Sequence, residues 1–384
     1  MQRTTRETID CPICGSKEYQ DIYQAEFRIW TQEDREWTAH QVVCKGCGFI
    51  YTNPRPSEDD LKDFYDAYLR FGEIDAHFRG KQIEFLCRNV PNARGRLLDI
   101  GAFDGSFLAL AKQKGFEIHG IEPTEEGVLE ARKKGLDVVQ GFFNKEYAGK
   151  IDKSYDVVTM LHTLEHVEDP LEFVRLALRV TAPGGYLYIE VPDVTRAFAE
   201  NMSDFFSVQH LNHFTSNTIR NLASRVGATI IAVEQEKELW ILRTLLKNTP
   251  DTIPLINEYG SNMRIMQAYK KRKQAFLDTL RKKISAKEVS LYGAGEHSSQ
   301  LLSSPLLKEV RVVAVTDSNP KKWGMQFHGF TVIPPAKLPA VPVLISSYDS
   351  QEDISNYLTK HFPSLAQVKL YDRIISYDTG NELE

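Results

Sequence analysis

An acid and two glycines follow the first strongly apolar segment of the chain, and a second acid ends the next such segment. Asp99 comes directly after two leucines, Gly101 and Gly105 follow it, and Glu122 comes after residues 118–121. Glycines allow a tight turn into a helix and a close approach of backbone amides to a ligand, and an acid at a strand end accepts hydroxyl protons of a ribose. We therefore expect Asp99, Gly101, Gly105 and Glu122 to bind an adenosine-containing cofactor, with Asp99 holding a cationic amine directly or through water.

Four cysteines form two pairs with the spacing of a metal site. Two residues separate Cys11 from Cys14 and Cys44 from Cys47, and a glycine follows each pair. This spacing allows both thiolates of a pair to reach one tetrahedral ion, and the glycines permit the turn. The pattern predicts a zinc ribbon over residues 1–56, in which Zn²⁺ has a structural role. Four unrelated thiols are the alternative interpretation.

Length and composition indicate a globular protein with more than one domain. The chain has 384 residues, of which 42% are hydrophobic and 26% are charged, and its formal net charge is −5. This balance gives no electrostatic reason to expect nucleic-acid binding. Residues 1–10 lack the apolar core of a secretory signal, and no later run is long enough to span a membrane, so we expect a cytoplasmic protein.

Short apolar segments alternate with helical patterns after residue 96, which predicts a parallel sheet covered by helices. A helix over 215–226 and two strands over 229–234 and 239–246 follow, and these two strands are expected to form a hairpin at the sheet edge. The predicted parallel strands are residues 97–100, 118–121, 137–139, 156–160 and 186–190. The predicted fold class is α/β, with a Rossmann-like seven-stranded core, an N-terminal zinc ribbon and a smaller C-terminal Rossmann-like domain.

Two helical segments flank this core. Residues 61–90 have an aromatic stripe that packs in the core or between domains, or else covers a ligand. Residues 263–284 form a basic amphipathic helix whose charges are expected to face solvent. The predicted domains are the zinc ribbon, a core over residues 57–249 that begins with a helical lid, a helical linker over 250–285 and the C-terminal domain over 286–384. The stripe comprises Phe64, Tyr65, Tyr68, Phe71 and Phe78.

Residues 99–105, 156–170 and 183–185 together resemble the motifs of class I S-adenosylmethionine-dependent methyltransferases. The resemblance covers residues 67–246 and implies S-adenosylmethionine as the cofactor. Many members place an acid near the adenine after the third strand, but this chain has Gly-Phe-Phe-Asn at residues 141–144. Packing of Phe142 or Phe143 is expected to replace that contact, and we assign Phe143 and His162 to the cofactor-binding set.

Methyl transfer to a weak nucleophile requires a proton acceptor near the cofactor. Glu165 and His166 follow a predicted strand end, and their alternative role is to fix the loop by hydrogen bonds. His210 and His213 precede a predicted helix, in a loop expected to overhang the acceptor. These four residues are the catalytic candidates, and His162 is a further candidate for the proton.

The three-part organisation resembles that of the sugar C-methyltransferases, in which a Glu-His pair in the last loop supplies the base. This chain has Gln209 before His210, so the sequence does not decide between His210 and His213. The resemblance implies a small acceptor, a nucleotide-linked sugar or other carbohydrate precursor, methylated at carbon or oxygen. The alternative is an RNA- or protein-binding module with a zinc ribbon and a degenerate methyltransferase fold.

A second glycine turn lies in the C-terminal part of the chain. Gly293, Gly295 and Ser298 follow a predicted strand over residues 289–292, and Asp317 ends the next strand, as a dinucleotide site requires. Ser298 replaces the third glycine, and the domain is too short for a complete dinucleotide fold. We expect a scaffold that contributes to acceptor binding, and an NAD-dependent enzyme is the alternative. The sequence leaves the oligomeric state open.

Overall fold

The computed structural model describes residues 6–29, 35–57, 61, 76–202, 205–236, 240–252, 254–372, 374–375 and 382–383. The predicted stripe residues Phe64, Tyr65, Tyr68 and Phe71 lie outside these ranges. In the described part of the chain, no helix is both long and apolar enough to cross a membrane.

The N-terminal part of the chain contributes to two small antiparallel sheets. Its strands are β1 (Arg6–Glu7), β2 (Tyr19–Ile29), β3 (Arg35–Cys44), β4 (Ile50–Thr52) and β5 (Arg55–Pro56). Strands β2, β3 and β4 are adjacent and antiparallel, whereas β1 pairs with β5. Cys11 and Cys14 lie before β2, Cys44 is the last residue of β3, and Cys47 lies in the turn between β3 and β4.

The central unit is a seven-stranded sheet with helices on both faces. In chain order the elements of this part of the chain are α1 (Ala76–Asn89), β6 (Gly95–Ile100), α2 (Ser106–Gln113), β7 (Phe116–Glu122), α3 (Glu125–Lys133), β8 (Val138–Gln140), α4 (Lys145–Gly149), β9 (Tyr155–Leu161), α5 (Pro170–Val180), β10 (Thr181–Pro192), β11 (Asn212–His213), α6 (Ser216–Val226), β12 (Thr229–Glu236) and β13 (Ile241–Lys247). Strand β11 lies outside the seven-stranded sheet. The strand order is β12-β13-β10-β9-β6-β7-β8, and β13 is antiparallel to both of its neighbours. The predicted seven-stranded α/β core with an antiparallel edge is confirmed.

Successive residues of the central strands bury opposite faces of this sheet, because side chains alternate along a strand. Leu98 and Val158 belong to one apolar cluster, and Leu97 and Val157 belong to the cluster on the other face. All four side chains are at most 1% exposed. The rigid centre of the sheet thus fixes the carboxyl ends of β6, β7 and β9 relative to one another.

Strand β10 is longer than the predicted segment over 186–190. It begins at Thr181 and passes through the Pro-Gly-Gly turn, and its pairing with β9 shifts between Thr181 and Tyr186. Gly184 has a φ of 75°, a conformation that favours glycine. The turn is therefore an irregularity within the strand.

The predicted linker helix is α7 (Tyr259–Lys283), and it is more than a solvated connection. Met266 and Tyr269 on this helix are fully buried in a cluster that includes Val43 and Ile50 of the ribbon. The Lys273 ammonium donates to the backbone carbonyl of Asn201 at 2.9 Å. The apolar face of α7 therefore packs on the ribbon, while most of its remaining lysines and arginines are exposed.

The C-terminal unit is a second α/β layer. Its elements are β14 (Glu288–Tyr292), α8 (Glu296–Ser303), β15 (Arg311–Thr316), β16 (Gln326–Phe327), β17 (Phe330–Ile333), β18 (Val343–Ile345), α9 (Gln351–His361) and β19 (Gln367–Lys369), followed by the short pair β20 (Ile374–Ile375) and β21 (Glu382–Leu383). The sheet order is β16-β17-β15-β14-β18-β19, and all pairs except β16 with β17 are parallel. This arrangement confirms the predicted smaller Rossmann-like unit.

Candidate active site

The glycine turn after β6 has the backbone conformation that the sequence predicts. Gly101 and Gly105 have φ values of 81° and 73°, which disfavour other residues. A Cβ atom on Gly101 would lie 2.5 Å from the Thr163 hydroxyl oxygen, and one on Gly105 would lie 2.4 Å from Leu136. Both glycines are therefore required by packing as well as by the turn, and Gly101 brings the loop after β9 into contact with the loop after β6.

Both predicted acids of this turn are buried at the carboxyl end of the sheet. Asp99 is 2% exposed, and its Oδ1 accepts the Thr159 hydroxyl at 2.6 Å. Burial raises the pKa of Asp99 to about 6, although the Thr159 hydrogen bond and the nearby Arg79 charge oppose the shift. Asp99 is therefore largely ionised at neutral pH and has a carboxylate oxygen available for a cation.

Glu122 is held by the backbone around it. Its Oε2 accepts the Phe103 N–H at 2.9 Å, and its Oε1 accepts the Thr124 N–H at 2.9 Å and the Thr124 hydroxyl at 2.5 Å. These donors are neutral. Oε2 keeps a lone pair, and a ligand hydroxyl can displace the Thr124 hydroxyl from Oε1. Both oxygens of this carboxylate can therefore accept hydrogen bonds from a ribose diol.

The loop after β9 contains the next predicted residues. His162 has a φ of 55°, and its ring lies between two buried carboxylates, with Nδ1 3.3 Å from Glu165 and Nε2 3.3 Å from Glu190. Burial opposes protonation of this ring, but the two carboxylates outweigh that effect and raise the pKa of His162 to about 9. The predicted cofactor residue His162 is therefore a charge partner of Glu165 and Glu190 in this structure.

Glu190 belongs to a buried network that the sequence analysis missed. Its Oε2 accepts from Arg243 Nε at 2.7 Å and from the Tyr188 hydroxyl at 3.0 Å, and its Oε1 accepts from Gln82. Burial by itself would raise the pKa of Glu190, but His162, Arg243 and Gln82 lower it to about 2. A charged residue inside the apolar pattern of β10 was the available signal, but its partners come from distant elements.

His210 and His213 lie in a segment that joins the ribbon to the core. Strand β11, which contains His213, pairs with β4 and so becomes the fourth strand of the ribbon sheet. The Thr52 hydroxyl also donates to the His210 carbonyl at 3.2 Å, and the Leu211 N–H donates to the Glu165 carbonyl at 2.8 Å. The ribbon thus positions both candidate histidines against the loop after β9.

The start of α6 fixes the other side of this segment. Thr215 is the N-cap, and its hydroxyl accepts the Thr218 N–H at 3.1 Å while the Thr218 hydroxyl accepts the Thr215 N–H at 2.7 Å. The Thr215 hydroxyl also donates to Glu258 at 2.7 Å. Because such reciprocal capping holds a helix start in one conformation, the chain reaches α6 by a defined path directly after His213.

The two histidines have different surroundings. His213 is 3% exposed, its ring lies 4.7 Å from that of Phe206, and burial lowers its pKa to about 3. The ring of His210 lies 4.9 Å from that of His166, and burial lowers the pKa of His210 well below its ordinary value. Within the described residues, His210 Nδ1 and His213 Nε2 are buried without hydrogen-bond partners.

Three of the four predicted catalytic residues converge. One ligand atom from each of Glu165, His166 and His210 lies within 4.8 Å of the other two. Gln209 stands where a carboxylate was expected beside His210, and Glu165 supplies a carboxylate from a different loop. His213 is adjacent to this group, with its ring 6.5 Å from that of His210.

Phe143, the remaining predicted cofactor residue, lies in the apolar core. It is 7% exposed and packs edge-on against Phe173 and Tyr147, with ring centroids 5.5 and 6.1 Å away. Phe142 is 69% exposed. The adenine contact of Phe143 stays a prediction.

The four predicted metal ligands form one compact cluster. The sulfur atoms of Cys11 and Cys47 lie 3.7 Å apart, those of Cys14 and Cys44 lie 3.5 Å apart, and all four lie within 4.8 Å of one another. Sulfur atoms at Zn–S bonds of about 2.3 Å around a tetrahedron are separated by about 3.8 Å. The cluster therefore fits one tetrahedral ion.

The second glycine turn contrasts with the first. Gly293 has a φ of 109°, and Asp317 accepts the Ala294 N–H at 2.8 Å. However, the ammonium of Lys322 lies 2.9 Å from Asp317 and also donates to the Ala294 carbonyl at 2.9 Å. The hydroxyl of Ser298 contacts the Gly293 carbonyl. Side chains of the protein itself thus satisfy this turn.

Comparison with known proteins finds similarity over the core of the chain. The profile of a family described as a methyltransferase domain matches residues 74–233. Residues 74–233 therefore match a methyltransferase domain, as the sequence motifs predict. A second profile, described as C2185-like, N-terminal, matches residues 285–362, within the C-terminal unit.

Curated relatives of the methyltransferase domain include enzymes that act on carbon and on oxygen. The chain is 21% identical over 249 residues to a C-methyltransferase, NovU, from Streptomyces niveus. This match covers 61% of the chain and 59% of that relative. It is 30% identical over 149 residues to a ubiquinone biosynthesis O-methyltransferase from Aliivibrio fischeri. This match covers 35% of the chain and 62% of that relative. The chain thus spans about three fifths of the length of these relatives.

Solved structures similar to the methyltransferase domain cover half of the chain. Magnesium protoporphyrin IX methyltransferase from Synechocystis PCC 6803 with bound S-adenosylmethionine is 14% identical, with a TM-score of 0.38, and the match covers 50% of the chain and 99% of that protein. A methyltransferase from Thermotoga maritima is 20% identical, with a TM-score of 0.36, and the match covers 50% of the chain and 98% of that protein.

Proposed function

We propose that the chain transfers the methyl group of S-adenosylmethionine to a carbon or oxygen atom of a nucleotide-linked sugar or a related carbohydrate precursor. The main support is that two buried acids end strands of the sheet, while the loop after β9 contacts both the first glycine turn and the segment that contains His210 and His213. The bound cofactor would supply an electrophilic methyl group on a sulfonium. The protein must then hold the cofactor, align the acceptor and remove a proton where the nucleophile carries one.

Asp99 and Glu122 are proposed to hold the two ends of the cofactor. Asp99 is mainly ionised at neutral pH and would accept from the amino group, either directly or through water. Glu122 would accept from the ribose hydroxyls, because both of its oxygens already point to neutral donors and none of these neutralises its charge. Gly101 and Gly105 allow the turn between the two acids.

A histidine of the β11 segment is proposed as the proton acceptor. His210 Nδ1 and His213 Nε2 are buried nitrogen atoms without hydrogen-bond partners among the described residues. Each is therefore available for a hydrogen bond with the molecule that receives the methyl group. A positioned base typically contributes about 10²- to 10⁴-fold to the rate. The aromatic rings of Phe205 and Phe206 beside His213 would form an apolar wall of the acceptor site.

Zinc is proposed to act indirectly, by holding the ribbon. Four cysteine ligands leave no open position, as is typical of structural sites. The ribbon in turn pairs with β11 and bonds to the His210 carbonyl. Zinc bound by Cys11, Cys14, Cys44 and Cys47 would therefore stabilise the segment that contains the proposed base, without contacting the acceptor.

The sugar acceptor is the finer part of the proposal, and the resemblance to the sugar C-methyltransferases supports it. The name of the relative NovU says that it is a C-methyltransferase, which is compatible with methylation at carbon. The C-terminal unit is proposed to be a scaffold that contributes to acceptor binding. The predicted domain boundaries and the cytoplasmic location remain predictions.

Incubation of the purified chain with methyl-labelled S-adenosylmethionine and a panel of nucleotide sugars tests this function. We expect one sugar to gain a labelled methyl group, which mass spectrometry would locate on a carbon or an oxygen. Labelling of a different small molecule would refute the sugar as the acceptor but would support the methyltransferase activity. Absence of cofactor binding by calorimetry would refute both.

A further inference from the structure

The convergence of Glu165, His166 and His210 resembles a metal site more than a loop-fixing network. Glu165 and His166 lie in one short 3₁₀ turn, Leu164–His166, directly after β9, and His210 lies in the turn before β11. One possible ligand atom from each lies within 4.8 Å of the other two. Two imidazoles and one carboxylate are a frequent donor set for divalent transition-metal ions.

The Glu165 carboxylate lacks the partners that a buried charge needs. It is 1% exposed, and in the part of the chain that the structure describes neither oxygen has a hydrogen-bond donor. The nearest cationic group is His162, 3.3 Å away, but the same imidazole also faces Glu190 at 3.3 Å. Glu190 has Arg243 as a second charge partner, so His162 can balance the charge of Glu165. The Glu165 oxygens still lack direct bonds, and a bound cation would supply them.

His166 is oriented as a metal ligand would be. Its Nδ1 lies 3.0 Å from the Gln209 carbonyl, a contact that requires the proton on Nδ1. In that tautomer Nε2 is the nitrogen with the lone pair, and it lies 3.9 Å from Glu165 Oε1. Metal-bound histidines commonly donate their other ring N–H to a carbonyl or carboxylate, which fixes the tautomer.

The backbone holds the two ligand-bearing segments at a fixed distance. The Leu211 N–H donates to the Glu165 carbonyl at 2.8 Å, and the Asn212 side chain donates to the Val167 carbonyl at 2.7 Å. The rings of His166 and His210 meet edge to face, with centroids 4.9 Å apart. An ion with bonds of about 2.0–2.2 Å would draw the three ligand atoms together by about 1 Å, which side-chain rotation can supply.

We propose that Glu165, His166 and His210 bind one divalent transition-metal ion, in a site separate from the four cysteines. Imidazole ligands favour Zn²⁺, Fe²⁺, Ni²⁺ or Cu²⁺ over Mg²⁺, Ca²⁺ and Mn²⁺, which prefer oxygen ligands. Three protein ligands leave at least one position for water or for an acceptor oxygen, in contrast to the closed cysteine site. With His210 as a ligand, His213 becomes the proton acceptor of the proposed reaction.

Cobalt titration of the chelator-stripped, full-length protein tests the site independently of activity. Cobalt bound by thiolates gives intense near-ultraviolet charge-transfer bands, whereas cobalt bound by histidine and carboxylate gives only weaker visible bands. We expect wild type to bind two equivalents, one of each kind. Glu165→Gln and His210→Ala should weaken the second equivalent at least about 100-fold and keep the thiolate bands, because each removes a direct ligand. Cys44→Ser should affect the thiolate bands selectively.

His119→Ala is the matched control. His119 also lies near two carboxylates, 4.0 Å from Glu117 and 3.8 Å from Asp137, but on a partly exposed surface of β7. This variant should bind two equivalents like wild type. The proposal is wrong if wild type binds only the thiolate equivalent, or if Glu165→Gln and His210→Ala both retain the second one. Retained thiolate bands show that these variants are folded.

Calorimetry with S-adenosylmethionine on the same samples separates this inference from the proposed function. Cofactor binding without a second cobalt equivalent would overturn the metal site alone. A second cobalt equivalent without cofactor binding would overturn the methyl transfer alone and leave the metal site in place.

Discussion

The two glycine turns of this protein have the same plan and different contents. In each, a strand leads through glycines into a helix, and an acid at the end of the next strand accepts a backbone N–H from the turn. At the first turn, Glu122 has only neutral donors, whereas at the second turn Lys322 neutralises Asp317. A glycine motif therefore indicates a turn, and the charge balance of its acid indicates whether a ligand is expected.

A second difference lies two residues before the first glycine of each turn. The first turn has Asp99 at that position, and the second has Leu291. Asp99 is a buried carboxylate with one hydroxyl donor, and Leu291 is fully buried in the apolar core of the C-terminal unit. The first turn therefore offers two acids, Asp99 and Glu122, to a cofactor with an amine and a ribose. The acid of the second turn, Asp317, is already paired with Lys322.

The largest expected effect concerns the two acids at the strand ends. Glu122→Ala should weaken S-adenosylmethionine binding by about 100-fold or more, because it removes two charged hydrogen bonds to the ribose, each contributing about 1.5–3 kcal/mol. Asp317→Ala should change the affinity less than about twofold. Isothermal titration calorimetry measures both, and equal effects of the two variants would contradict the assignment.

Replacement of a glycine by alanine should destabilise the protein more at the first turn than at the second, because the packing around the two glycines differs. Gly101→Ala should destabilise the protein by about 2–4 kcal/mol, because it combines a positive φ with a Cβ 2.5 Å from Thr163. Gly293→Ala should cost about 1–2 kcal/mol, because its Cβ would meet Ser347 at an ordinary 3.5 Å. Urea unfolding measures the difference, and a larger loss in Gly293→Ala would contradict the structure.

Acidification should weaken cofactor binding through Asp99. The pKa of Asp99 is raised to about 6, so its charge is present above pH 6 and is lost as the pH falls below it. Thr159, Arg79 and Glu122 are the groups that set this value besides burial. Affinity for S-adenosylmethionine should fall about tenfold per pH unit below 6, and Asp99→Asn should remove that dependence while weakening binding at pH 7.5. An unchanged pH profile in Asp99→Asn would be the contradicting result.

The smallest effect is expected at Lys322. Lys322→Met removes the counter-charge of Asp317 in a partly exposed ion pair, so the protein should lose about 1 kcal/mol of stability. Cofactor affinity should stay within about twofold of wild type. A thermal-shift assay and calorimetry measure the two quantities, and a loss of cofactor binding in Lys322→Met would connect the second turn to the cofactor site.

Local patterns in the sequence predicted most of the fold. The strands of the core follow the predicted segments because buried parallel strands are apolar and end at turn residues. The long β2–β3 hairpin and the pairing of β11 with β4 were not predicted. Residues 212 and 213 reach the ribbon only through the tertiary arrangement, and a two-residue strand has no periodicity to detect.

The sequence predicted which residues form the candidate site but did not predict the contacts between them. Asp99, Glu122 and the cysteines are defined by spacing along the chain, which a sequence displays directly. The contact of Glu165 with His162 and its approach to His210 depend on how two loops fold over the sheet edge. The buried pair of Glu190 and Arg243 joins adjacent antiparallel strands, and pairing register is not encoded locally.

Equilibrium binding of S-adenosylmethionine to the wild-type chain at pH 7.5 tests the central claim most directly. We expect one equivalent to bind, to be displaced by the demethylated product and to be unaffected by NADH. Absence of binding, or displacement by NADH, would contradict the proposal that the first glycine turn holds the methyl donor.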